Sequence, residues 1–576
     1  MSDRMILERN VPVPLRDGTI LMADVYRPDD GERHPVLLQR TPYDKTFFPF
    51  TWAVLDATKL ALGGYAVVIQ DTRGRFMSAG EHEPYATEGP DGYDTIAWCA
   101  SQPWSDGTVG MYGVSYMGGV QWQAASEGPE SLRALAPIMS PIDFVDIVKH
   151  RGGALQLGLI DTWSLVSIAP NALVRRFATD LPALLGQVDA LLDGIDTLDE
   201  WVMRLPLTPH PMVEATAAED SSWLGDWLGD DKLAQSENAG PRQETITVPV
   251  LQIAGWYDLL LQGNLDAHVA MRERAATDEA RALTRLVVGP WAHPPPGFVN
   301  QVGDIDFGFR GTGVLLDGRE DLTSLHKRWF DARLKGLPSG IDDEPPVKLF
   351  VMGRNRWRTE DEWPLKRARA ERWHLHGDGT LSPRAPVRSE PSVFSLDPDN
   401  PVPTVGGNIL MKQSYVRGPV EQARVERHPD TLTFTSEPLT SELEVTGRVT
   451  FTCWIAADTV DTDVVARLCD VHPDGRSFNV VDGIQRARFR EGLADPRPLT
   501  PGEISRIEVD LWSTSFVFMP GHRVRVQVRA SDFPRYDRCP GTGESSATAK
   551  QILPQRNLLF HDPQRPSHIT VEVVPS

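Results

Sequence analysis

Short apolar runs recur through the first half of the chain, and the stretches between them repeat with helical spacing. Residues 11–28 alternate and turn at Asp17-Gly18, which predicts a hairpin with strands over Val11–Leu15 and Ile20–Tyr26. Val36-Leu37-Leu38 and Tyr65-Ala66-Val67-Val68-Ile69 read as buried strands, with a helix over Trp52–Leu62 between them. Residues 89–100 read as a helix, Val109, Met111 and Tyr112 as the end of a strand, and Leu132–Ile138 as another strand. Buried runs alternating with helices indicate a parallel sheet, whose chemistry gathers at the carboxyl ends of its strands.

From about residue 145 the pattern changes. Asp180 caps a helix with Leu181, Leu184, Leu185, Val188, Leu191 and Leu192 on one face, and residues 198–205 and 222–233 also read as helical. No buried strand is expected in this block, which sits where a lid would be inserted. The sheet resumes at Val248–Ala254 and Arg285–Gly289. Beyond about residue 350 strands dominate, at Leu443–Ile455, Val464–Val471, Ile504–Leu511 and Val524–Val528, broken by turns such as Pro473-Asp474-Gly475 and Pro520-Gly521. The plan is an α/β hydrolase fold split over 1–144 and 241–352, a helical cap insert over 145–240, and a jelly-roll β-sandwich over 353–576.

The chain has 576 residues, enough for several domains, and its 41% hydrophobic and 24% charged content is that of a globular protein. A formal charge of −21 removes the basic face that nucleic acid or an anionic membrane would need. Cys99, Cys453, Cys469 and Cys539 form no C-x-x-C pair, and four thiols in this length read as reduced and buried. The N-terminus carries charges where a signal peptide needs an apolar run, and no uninterrupted apolar stretch approaches the about 20 residues of a membrane span. The expected location is the cytoplasm.

The chemistry centres on Gly110-Met111-Tyr112-Gly113-Val114-Ser115-Tyr116-Met117-Gly118-Gly119. A strand that becomes a helix in so few residues makes a sharp turn with Ser115 exposed at its apex, the logic of a nucleophile elbow. The spacing departs from G-x-S-x-G, because Met117 stands where the second glycine would be and Gly118 comes one residue later. A serine hydroxyl needs a base, and the base needs a partner to fix its tautomer. Asp258, after Gly255-Trp256-Tyr257, and His293, after Gly289-Pro290-Trp291-Ala292, each follow a strand in the chain order serine, acid, histidine. The oxyanion donors are the backbone N–H of Tyr116 and the phenol of Tyr43 in the loop after Val36–Leu38. Taken singly, Ser115 reads as incidental in a Gly-rich turn, His293 as a turn histidine, Asp258 as a helix cap and Tyr43 as a packed aromatic; it is their joint order that carries the argument.

The segments Arg40-Thr41-Pro42-Tyr43-Asp44-Lys45, Asp71-Thr72-Arg73-Gly74, Gly113–Gly118, Gly255–Asp258 and Gly289–His293 resemble the cocaine esterase/NonD hydrolases of the X-Pro dipeptidyl-peptidase (S15) family. Val445-Thr446-Gly447, Asp461-Thr462-Asp463 and Phe518-Met519-Pro520-Gly521-His522-Arg523 extend the resemblance over nearly the full length. It implies Ser115 as nucleophile, Asp258 and His293 as its partners and Tyr43 as a hydroxyl donor to the oxyanion. It also implies the same three-part architecture and cleavage of small-molecule carboxylic esters through an acyl-enzyme. The expected pocket residues are Trp163 as an aromatic wall, Leu259, Leu260 and Met117. With no aromatic after Asp258 or over Val145–Val148, the pocket reads as aliphatic. The alternatives are X-Pro dipeptidyl-peptidase activity, α-amino-ester hydrolase or acylase activity, and a non-catalytic carbohydrate-binding scaffold. Met117 stands where α-amino-ester hydrolases carry an acidic residue. No cofactor or metal is implied; Asp458, Asp461 and Asp463 lack the glycine of a calcium loop and read as a solvated turn. The partners expected are a small-molecule ester, no nucleic acid and no membrane, with a homodimer left open.

Overall fold

The structure is a computed structural model that describes residues 4–49, 55–142, 148–208, 222–229, 242–294 and 298–575. Its first part is built on ten strands: β1 Met5–Pro14, β2 Ile20–Pro28, β3 His34–Thr41, β4 Ala66–Asp71, β5 Ser105–Val114, β6 Leu132–Ile138, β7 Leu251–Tyr257, β8 Arg285–Ala292, β9 Val347–Val351 and β10 Arg356–Glu360. They lie side by side in the order β1-β2-β4-β3-β5-β6-β7-β8-β9-β10. From β4 across to β9 the neighbours are parallel, and antiparallel pairs close both edges. The central strands have helices packed on both faces, so β4 and β7 are buried at every position and read as continuous apolar runs.

The sheet runs further than residue 352, where the sequence pattern closes it. Arg356–Glu360 pairs antiparallel with β9, from Val347↔Glu360 to Val351↔Arg356. This strand escapes a reading for apolar runs because it is a polar edge, Arg-Trp-Arg-Thr-Glu, with only Glu360 buried.

Between β6 and β7 the described chain is mainly helical: Leu157–Thr162, a wider π-helical turn over Trp163–Ile168, Ala169–Arg176, Leu181–Asp196, Leu198–Trp201 and Ser222–Leu228. A two-residue β-ladder, His150–Arg151 with Ala154–Leu155, precedes them, a small exception to the strand-free block expected. Asp180 does cap Leu181–Asp196, accepting from the Ala183 N–H. Residues 230–233 of the predicted helix, and residues 145–147 of the expected pocket wall, lie outside the described residues. The helical run Leu157–Arg176 is long and apolar enough by length and composition to cross a membrane, although Asp161 interrupts it, and most of it is buried inside the protein.

The C-terminal part is two antiparallel sheets sharing one apolar core. One gathers Arg369–Leu375, Ser392–Leu396, Leu443–Ala457, Ser505–Phe518, Gln555–Asp562 and His568–Val573; the other gathers Leu432–Thr435, Asp463–Val471, Ser477–Arg486 and Arg523–Arg529. Asp461 and Asp463 are not in a solvated turn. Both are buried, Asp463 held by Arg486 and Asp461 by Arg488, because the turn folds inward against these two guanidinium groups. All four cysteines are free and buried.

Candidate active site

The elbow forms because β5 runs directly into the helix Tyr116–Ser126. Ser115 at the junction has φ +60° and ψ −126°, a strained conformation that presents its hydroxyl above the sheet. The glycines around it make the close approach: a Cβ on Gly113 would lie 2.6 Å from that of Met117, and one on Gly118 would lie 2.6 Å from that of Ser140.

Asp258 ends β7 and His293 ends β8, neighbouring parallel strands paired as far as Tyr257↔Ala292. The His293 ring joins the two: Nδ1 lies 2.5 Å from Asp258 Oδ2, and Nε2 lies 2.9 Å from Ser115 Oγ. The other carboxylate oxygen, Oδ1, accepts the Leu260 N–H at 2.8 Å, so Asp258 also caps the following turn. Both side chains are buried, which strengthens the electrostatic coupling between them.

Tyr43 lies opposite the serine and is hydrogen-bonded to its side chain. Its loop is held by Asp71 of the Asp71–Gly74 motif and by Arg75 just beyond it, a purpose that sequence alone does not reveal. Asp71 accepts from both the backbone N–H and the Nζ of Lys45, and Arg75 Nε donates to the Pro42 carbonyl. The phenol oxygen accepts the Trp163 Nε1–H at 2.9 Å. Trp163 thus fills one lone pair and leaves the phenolic proton to point at whatever forms on the serine. Burial pushes this phenol up to about 12, against the pull of its bonds to Trp163 and Ser115, so it stays protonated near neutral pH. Tyr116 is the first residue of its helix, where a backbone N–H has no partner within the helix. Its side chain turns away: the hydroxyl donates to Glu88 Oε1 at 2.8 Å and accepts from the Tyr85 N–H. Burial raises the Glu88 carboxyl, with the Arg40 guanidinium opposing.

A cavity opens beside Ser115 and His293, both of which line it. Trp163, Leu259 and Leu260 line it, with Val148, Leu159 and Ile160. Met117 does not; it is fully buried in the core between its helix and the sheet, with Sδ accepting from Gln39 Nε2 at 3.1 Å. One step along the helix from Tyr116 turns a side chain about 100°, away from the mouth and into the sheet. The cavity is also more aromatic than the aliphatic reading. Trp227 stacks on Trp163 with centroids 5.5 Å apart and planes 7° from parallel, and Tyr85 stacks on Tyr116 at 3.9 Å. Sequence reasoning missed Trp227, Tyr85 and Leu410. Each reaches the cavity from a distant segment, Leu410 from the C-terminal part, and none stands in a motif. No carboxylate or cationic side chain is among the described residues lining it.

A Ser–His–Asp relay at the carboxyl ends of parallel strands, beside an apolar cavity, defines a serine hydrolase of the α/β class. Residues 17–295 match the X-Pro dipeptidyl-peptidase (S15) family and residues 339–570 match the X-Pro dipeptidyl-peptidase C-terminal non-catalytic domain. The chain is 36% identical to cocaine esterase from Rhodococcus sp. (strain MB1 Bresler), covering 98% of each. It superimposes on an α-amino acid ester hydrolase structure with a TM-score of 0.74 at 25% identity, covering 99% of this chain and 96% of that one. An aminopeptidase from a marine sediment Thaumarchaeota archaeon shares the fold, with a TM-score of 0.74 at 22% identity over 99% and 96%. The protein belongs to the X-Pro dipeptidyl-peptidase (S15) family, within its cocaine esterase/NonD hydrolases, and is a serine ester hydrolase.

Proposed function

We propose that the protein cleaves small-molecule carboxylic esters with an uncharged, apolar acyl group. His293 Nε2 takes the Ser115 proton as Oγ attacks the acyl carbon, and the negative charge moves to the former carbonyl oxygen. The Tyr116 N–H and the Tyr43 hydroxyl receive that oxygen. The imidazolium, steadied by Asp258, gives its proton to the departing alcohol. Water activated by the same imidazole then frees the acid and restores the serine.

The observation that carries the choice of ester is the lining of the cavity. Trp163, Trp227, Leu259, Leu260 and Leu410 bury an apolar acyl group well, and the described walls offer no carboxylate to a substrate ammonium. An X-Pro peptidase or an α-amino-ester hydrolase must hold such a group, and an unpaired charge there would be costly. The helical block over 145–240 reads as a cap over this cavity and the two C-terminal sheets as a jelly roll. The formal charge of −21 suits a cytoplasmic enzyme that meets neither nucleic acid nor membrane.

The test is a panel on purified wild type and Ser115→Ala: short-chain and benzoyl nitrophenyl esters beside Gly-Pro-nitroanilide. Ester turnover lost in Ser115→Ala, with the anilide silent, is expected. Ester turnover that survives the substitution would overturn the mechanism, and a dominant anilide signal would overturn the substrate class.

A further inference from the structure

The acid and the base of the relay both sit just past the last paired residues of their strands, so the ladder does not hold their main chains. Something else must, because the 2.5 and 2.9 Å contacts on the two sides of the His293 ring leave little slack. Asp258 has a local turn, its N–H donating to the Gly255 carbonyl at 3.0 Å and its carbonyl accepting the Leu261 N–H at 3.2 Å; the grip common to both residues comes from the C-terminal part of the chain.

Residues 407–418 form a loop closed at its base by paired bonds between Gly407 and Gly418, N–H to carbonyl in both directions at 2.8 and 2.9 Å. One residue inside each end stands a donor. Asn408 Nδ2 donates to the Asp258 carbonyl at 2.9 Å and is within 3.3 Å of the Trp256 carbonyl. Arg417 Nη1 donates to the His293 carbonyl at 2.6 Å. Burial lowers the Arg417 guanidinium while the charge of Asp258 draws it back up. The base of the loop is itself fixed: Arg535 Nη2 donates to the Asn408 carbonyl and Asn479 Nδ2 to the Gly418 carbonyl. A Cβ on Gly407 would collide with Asp482, to which Arg535 is ion-paired. At the tip, Lys412 and Tyr415 both reach Asp199 of the helical block.

We propose that Asn408 and Arg417 are positioning residues for the hydrolytic reaction, each setting the main chain of one member of the Asp258–His293 pair. The part of the chain that matches a non-catalytic domain thereby governs the rate of the chemical step. The inference rests on the serine-esterase reading above and adds to it two residues that touch neither substrate nor reacting atoms. Displacing a catalytic group by about 1 Å can cost about 100-fold in rate, so the loss of either brace is read in kcat.

The experiment measures kcat and KM on a nitrophenyl ester for Asn408→Ser, Arg417→Met and Arg417→Lys. Rates are expressed per serine labelled to completion by a fluorophosphonate, and melting temperatures are recorded alongside. Asn408→Ser and Arg417→Met are expected to lose about 10- to 100-fold in kcat per labelled site with KM within about twofold, and Arg417→Lys to recover most of the loss. A merely structural role would lower the melting temperature and the labelled fraction while each labelled site turned over at the normal rate; that result overturns the proposal. If Arg417→Met does not fold, Asn408→Ser decides by the same readout, with normal turnover per site overturning the proposal. Ser115→Ala runs in parallel: activity there sinks the esterase reading itself, whereas an inactive Ser115→Ala beside full-rate Asn408→Ser and Arg417→Met sinks only the brace.

Discussion

Replacing Tyr43 by Phe removes a single oxygen from the site, and the structure says what that oxygen does. It accepts from Trp163 Nε1 at 2.9 Å and bonds the Ser115 side chain, so its proton is available to the oxyanion while its lone pair is occupied. Losing one donor of this kind costs about 10²–10³ in kcat, or about 3–4 kcal/mol of transition-state stabilisation. The binding of the uncharged ester draws on the apolar walls instead, so KM should change little. A second, separate cost falls on stability, because the Trp163 Nε1–H···Tyr43 hydrogen bond is lost; a bond of this kind contributes about 1 kcal/mol. The pH dependence is a sharper test. With the phenol pushed up to about 12, the donor is present throughout neutral and mildly alkaline conditions and is lost only as pH climbs towards that value. The ratio of wild-type to Tyr43→Phe rates should therefore stay constant from about pH 7 to about pH 9. Stopped-flow or steady-state ester hydrolysis across that range, with a thermal melt of each protein, is the assay. A Tyr43→Phe enzyme within about twofold of wild type in kcat would refute the assignment of Tyr43 to the oxyanion.

Tyr116→Phe should behave in the opposite way. Its backbone N–H remains, so kcat should hold, while the lost bonds to Glu88 and to the Tyr85 N–H should lower stability by about 1–3 kcal/mol in a melt. His293→Ala should remove the general base and with it nearly all turnover, and retained activity would exclude His293 from that role. Asp482 provides a stability test. Burial alone would raise its carboxyl, but Arg535, Arg467 and Arg151 hold it below the usual range. A depressed carboxylate stabilises the fold above its unfolded value and loses that contribution as pH falls through the folded one, so Asp482→Asn should flatten the acid side of the stability curve. At neutral pH the same substitution should destabilise by about 3–5 kcal/mol, since it strands buried guanidinium groups, and an unchanged denaturant midpoint would contradict this.

The reacting residues were legible in the sequence because each stands at the end of an apolar strand, and strand ends are where this kind of sheet exposes side chains. Ser115, Asp258, His293 and Tyr43 each carry that local mark. The cavity was legible only in part. Leu259 and Leu260 follow the Gly255–Asp258 motif and Trp163 is reached through the family resemblance, whereas Trp227 and Leu410 come from segments that no spacing connects to Ser115, and Met117 lies next to the site in sequence but packs into the core. Polarity misled twice. The strand Arg356–Glu360 hides the edge of the sheet behind charged residues, and Asp461 and Asp463 look like a wet turn until Arg486 and Arg488 fold over them. In both places the deciding partner is distant in sequence, and local pattern carries no trace of it.

The late arrival of β9 and β10 ties the hydrolase half of the chain to residues well past its last reacting group. A fragment ending near residue 295, where the match to the catalytic family stops, would hold every reacting group but leave β8 as a bare edge, its Leu286–Val288 ladder to Val347–Leu349 unmade. Trp256, just ahead of the acid, would also lose the Phe350 carbonyl that receives its indole N–H at 2.7 Å. An unprotected edge in an apolar parallel sheet is a template for pairing between chains. Fusions or permutations of this enzyme should therefore treat residues 347–360 as part of the catalytic body.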